Sequence, residues 1–82
     1  MAETTTYGDD VSRQEAAELL EELAREFHGD GPAGVRVGNK HITLHPREVL
    51  EYAIEVEERS PMLSSQRQEV TITLEWKVDG ED

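Results

Sequence analysis

The 82-residue chain contains no cysteine. That removes disulfide scaffolds, thiol nucleophiles and cysteine-held zinc together. Basic residues are scarce, 8 against 19 acidic ones, and only Lys40 and Lys77 among them are lysine. A net charge of -11 leaves no basic face for phosphate backbones, so no nucleic-acid partner is expected. No apolar run approaches the roughly 20 residues that span a bilayer. No charged-then-apolar leader opens the chain, so the expected location is the cytoplasm, with no membrane partner. Phosphate-cradling glycine loops, nucleophile elbows and a locally supported serine-histidine-acid arrangement are also missing. At this length one domain is the ceiling, which excludes a two-domain enzyme with an interdomain cleft.

What is present is acid, and it is spread along the chain. Residues 1–30 carry -7, 31–47 carry +3, 48–58 carry -5, 59–67 carry +2 and 68–82 carry -4. A folded chain of this mass has a surface of roughly 5,000 Å², or about one net negative charge per 450 Å². Self-repulsion at that density opposes compaction unless salt screens it. In molar salt the Debye length falls to about 3 Å. An acid-rich, lysine-poor composition therefore fits a very salty cytoplasm. An acidic decoy for a basic partner is the rival reading. It fits less well, because the charges do not form one tail.

Ser12-Arg13-Gln14-Glu15 has the form of a capping box. Ala16, Leu19, Leu20, Leu23, Ala24 and Phe27 follow at three- and four-residue steps, one apolar stripe of a helix over 13–28. Glu21 and Arg25 are spaced for an i,i+4 pair. Gly31-Pro32 forbids continuation. From there the period is two. Val35 and Val37 alternate with Arg36, and Ile42 and Leu44 with His41 and Thr43. A two-residue loop at Asn39-Lys40 would pair Val37 with Ile42 and Val35 with Leu44. Tyr52, Ile54 and Val56 form one face of the next strand, and Val70, Ile72, Leu74 and Trp76 one face of the last. Ser60-Pro61-Met62-Leu63-Ser64-Ser65 connects them. Aligned by their apolar faces, Val56 meets Val70, Leu50 meets Trp76, Glu57 meets Glu69 and Glu51 meets Glu75.

The expected fold is α+β, one amphipathic helix packed on a four-stranded antiparallel β-meander. Residues 12–79 form its single domain and 80–82 a tail. Residues 1–11 precede it, with Thr4, Thr5 and Thr6 either an extra edge strand or a frayed terminus. The expected core is Leu20, Leu23, Phe27, Val37, Ile42, Leu44, Leu50, Tyr52, Ile54, Val56, Val70, Ile72, Leu74 and Trp76. A domain this small sits near the limit of independent stability, which a dimer would relieve.

The strand Val70-Thr71-Ile72-Thr73-Leu74-Glu75-Trp76, with Ser12-Arg13-Gln14-Glu15-Ala16-Ala17 opening the helix, resembles the amphi-Trp domain proteins. These are small, acidic and mostly haloarchaeal. Thr71 and Thr73 stand where such proteins usually place acids. The resemblance spans about residues 11–78. It implies a haloarchaeal origin and brings no catalytic residues.

Chemistry is sparse. His41 and His45 lie four residues apart on one strand, roughly 13 Å, too far to share a metal ion. The opposed glutamates form either a solvated acidic face or a surface for hydrated cations. A shared-proton pair would need a cleft that an open sheet lacks. No catalytic residue, metal or cofactor is expected. Two contact surfaces stand out. Met62 and Leu63, flanked by Arg59 and Arg67, have the make-up of an interface core, or else fold back over the core. Arg36, Lys40, His41 and Arg47 form a basic stretch that would meet an acidic face of another copy or neutralise acids of its own chain. The expected function is a non-enzymatic module for self-association or for docking a protein partner. The other reading is a small-ligand or cation-binding module on the outer sheet face around Glu51, Glu55, Thr71, Thr73 and Glu75.

Overall fold

A computed structural model describes residues 2–60 and 66–78. The chain divides into two compact units, Met1–Pro46 and Arg47–Asp82.

The first unit holds helix α1, Arg13–Phe27, and strands β1, Ala33–Val37, and β2, Lys40–Leu44. The helix starts where the sequence places it. Ser12 is extended, with φ -73° and ψ 162°. Its Oγ accepts the Glu15 backbone N–H at 3.0 Å, so one of the helix's unpaired N-terminal donors is satisfied. At the other end the His28 N–H donates to the Arg25 carbonyl at 3.2 Å. Glu21 and Arg25 make no ion pair with each other. Two other acids on the helix bond to β1 instead. Glu26 Oε1 accepts the Gly34 N–H at 2.9 Å, and Glu22 Oε1 lies 3.6 Å from Arg36 Nη2. Standing four residues apart, they share one helical face and hold α1 along the strand.

The β1–β2 hairpin turns one step earlier than expected. Its two loop residues are Gly38 and Asn39, so Val35 opposes Ile42, Val37 opposes Lys40 and Ala33 opposes Leu44. Gly38 has φ +63°. Favoured two-residue hairpin turns need positive φ at their first loop position, and glycine reaches it without strain. The shift is two residues, so every side chain keeps its face. Tyr7 closes over the turn. A Cβ at Gly38 would stand 2.8 Å from its Cδ1.

Of the two options left open for the N-terminal segment, the edge strand is not formed, since 2–12 carry neither helix nor strand. Local bonds take its place. Asp9 accepts the Tyr7 hydroxyl at 3.2 Å and the Asp10 N–H at 2.8 Å, a competition that short polar side chains commonly win.

The second unit is a long hairpin of β3, Glu51–Arg59, and β4, Arg67–Glu75. Its nine-pair register is the expected one: Val56 opposes Val70, Glu57 opposes Glu69 and Glu51 opposes Glu75. Leu50 and Trp76 fall just outside the ladder and are half-buried. There Arg47 Nη1 donates to the Lys77 carbonyl at 3.0 Å.

The ladders are β1–β2 in the first unit and β3–β4 in the second, antiparallel strands beside one helix and so an α+β composition; no ladder joins β2 to β3 among the described residues. Residues 45–50, between β2 and β3, contain Pro46, which has no N–H to give to a ladder. The expected core is also incomplete. Among the described residues only Ala33 is fully buried. Leu23, Phe27, Val37, Ile42, Leu44 and Leu74 are half-buried, while Leu20 is 54% exposed. Tyr52, Ile54, Val56, Val70 and Ile72 stand 45–64% exposed; the second unit by itself holds one hairpin and no further layer.

Candidate functional site

The β3–β4 hairpin presents two unlike faces. One carries Tyr52, Ile54, Val56, Val70, Ile72 and Leu74, and beyond Val56 it ends in a polar pair, Gln68 Nε2 donating to Glu58 Oε2 at 3.1 Å. The other carries charge in an awkward order. Glu51 faces Glu75, Glu57 faces Glu69, and Arg59 faces Arg67. Directly opposed like charges destabilise a strand pair.

Only one of these three conflicts is relieved among the described residues. Arg59 forks across the middle pair, with Nη2 3.0 Å from Glu69 Oε1 and Nε 3.5 Å from Glu57 Oε2. All three side chains are about half exposed, so solvent and salt weaken each contact. Arg67 and Glu75, at the two ends of β4, make no ion pair with a described residue.

The expected contact residues are divided between the two units. Met62 and Leu63 lie outside the described residues. Arg59 is engaged with Glu57 and Glu69, and Arg67 begins β4 across from it. In the other unit, Arg36 pairs with Glu22 of the helix. Lys40 is exposed opposite Val37. Arg47 leaves the basic stretch, because its guanidinium serves the Lys77 carbonyl. His41 opposes Arg36. Among the described residues no group of three or more histidine, aspartate or glutamate side chains could hold a metal ion.

One feature escaped the sequence reading. Tyr7, Asp9, Val11, Leu19, Leu20 and Val35 help line an open cleft of about 850 Å³ within the first unit. The acidity of Tyr7 is set beside it. The Asp9 carboxylate, through its charge and its hydrogen bond, raises the phenol above its ordinary value of 10.0. Tyr7 therefore stays a neutral donor. The periodicity of the helix signalled Leu19 and Leu20. Nothing in an irregular N-terminal segment signals which loop it will cross.

Neither a curated protein nor a solved structure matches the chain. The family model described as the Amphi-Trp domain matches residues 2–82. The sheet that carries the unlike faces, the tryptophan beyond its last strand and the capped helix thus belong to a member of the Amphi-Trp domain family.

Proposed function

We propose that the chain is a non-enzymatic, salt-adapted association module, and that its partner is a second copy of itself. One observation carries the reading: five large apolar side chains of the β3–β4 hairpin stand 45–64% exposed on a single face. An isolated two-stranded hairpin is marginal in water, and contiguous apolar patches on soluble proteins usually mark interaction sites. A hairpin of nine paired positions is steadied by further strands, and a copy supplies them. Light scattering in molar salt tests it. The expected result is a mass of two chains or a multiple of two; a strict monomer at every protein concentration overturns it.

The cation- or ligand-binding reading of the polar face has one support, the uncompensated opposition of Glu51 and Glu75. Calorimetric titration with divalent cations and a metabolite panel decides that case, and no heat from either discards it. The proposed setting for both readings is the cytoplasm of a cell with high internal salt.

A further inference from the structure

We infer that two chains join edge to edge through β4, antiparallel, with Thr71 on the two-fold axis. This rests on the self-association reading and adds the surface, the strand and the register.

The outer edge of β4 has no ladder partner among the described strands, so its backbone donors and acceptors on that side are open to a further strand. A symmetric antiparallel pair that keeps both apolar faces on one side must place a residue on the axis. For β4, Arg67–Glu75, the central residue is Thr71. That register overlaps all nine residues. It sets Arg67 against Glu75 of the second copy, and Glu75 against its Arg67. Glu69 meets Thr73, Val70 meets Ile72, and Thr71 meets its own counterpart, a favourable cross-strand pair.

The charges select this register. Arg67 and Glu75 are the two ends of β4 left without an ion pair among the described residues, and each faces a like charge across the hairpin, Arg59 and Glu51. The two-fold brings an opposite charge to both at once. Centring the pair on Ile72 instead would oppose Glu69 to Glu75, and centring it on Glu69 would oppose that glutamate to itself. The other edge offers a poorer solution. With β3, Glu51–Arg59, centring on Glu55 sets Glu51 against Arg59 of the second copy, but it puts Glu55 against itself on the axis and draws on an Arg59 already held by Glu57 and Glu69. Neighbouring registers oppose Glu51 to Glu55, Glu51 to Glu57, or Glu55 to Glu57. The shorter β1 and β2 contain no acid to answer Arg36 or Lys40. One contact in the favoured register is imperfect, Gln68 against Leu74, and it lies near each end of the paired strands.

The product is a four-stranded sheet ordered β3-β4-β4-β3 with one continuous apolar side. Its salt response is mixed. Backbone pairing and apolar contact tolerate salt, while the two Arg67–Glu75 contacts act at close range to fix register.

The absence of native cysteine makes single-cysteine variants clean probes. Directly opposed residues have Cα atoms about 4.5–5.5 Å apart, within the roughly 4.4–6.8 Å that a disulfide spans. Under mild oxidation, Thr71→Cys should give a covalent dimer on a non-reducing gel, and Glu55→Cys should stay monomeric on the same gel. Arg67→Glu and Glu75→Arg should each weaken dimerisation about tenfold by sedimentation at moderate salt. The double variant, which exchanges the two charges, should return to within about threefold of the parent. A dimer by light scattering in which Glu55→Cys links, or neither variant links, overturns the β4 edge and leaves self-association standing. Failure of the double variant to recover overturns the register. A chain that is monomeric throughout removes self-association and this surface together.

Discussion

At Gly38 two constraints meet. The backbone there has φ +63°, a region that side chains other than glycine occupy at a cost. A Cβ would also stand 2.8 Å from the Tyr7 ring. Gly38→Ala is therefore expected to destabilise the fold by about 1 kcal/mol or more, as read from urea unfolding. Tyr7 supplies a pH test. Asp9 raises its pKa above 10.0, so the folded chain holds the phenolic proton more tightly than the unfolded chain does. The contribution is complete below pH 10 and is lost as pH rises through the folded value. In an absorbance titration of the two tyrosines, Tyr7 should ionise at a pH above 10. Asp9→Asn should lower its midpoint, and an unchanged midpoint would show that the carboxylate does not control it. None of this was legible in the sequence, where Tyr7 reads as one polar-flanked aromatic in an unpatterned segment.

Among the elements, the helix and the long hairpin were legible, and the reasons differ. Ser12 and Glu15 announce the start of α1 because only a few side chains can satisfy its free N–H groups. Ser12→Ala should cost about 1 kcal/mol by thermal or urea unfolding; a change within error would mean that water replaces the hydroxyl at no cost. The β3–β4 register was legible because two alternating runs match over nine pairs. A one-residue slip would turn every apolar side chain over. The β1–β2 register was ambiguous by two residues, since adjacent loops at 38–39 and 39–40 both keep the apolar set on one face. The left-handed preference of Gly38 decides between them. Burial was not legible. Period two identifies a face, and says nothing of what will cover it, which is why Tyr52, Ile54 and Val56 were assigned to a core that the hairpin does not close. The roles of Glu22 and Glu26 were missed for a related reason. Acids at the margin of an apolar stripe read as solvated, although their i,i+4 spacing also suits a line of bonds to a neighbouring strand.

At the scale of the whole molecule, charge is the dominant quantity. A net -11 combines with opposed glutamates at 51 and 75 and at 57 and 69, so long-range repulsion and local repulsion act together. Stability against urea should rise steadily between about 0.1 and 1 M salt as the screening length falls from about 10 to 3 Å. A flat or falling response would contradict salt adaptation. The sign of the charge was plain from composition. The placement of its worst conflicts, one pair at the open end of the long hairpin and two close to its turn, needed the register.

The ring of Tyr7 over the turn has an evolutionary corollary. The space above Gly38 is shared property, so the two positions are not free to drift separately. A descendant that acquired asparagine at 38, which tolerates the left-handed backbone, would have to shrink position 7 or let the whole N-terminal strap swing away. Changes at these two sites, thirty-one residues apart in the chain, should therefore be accepted in pairs more readily than singly, and a library randomised at both would reveal that linkage directly.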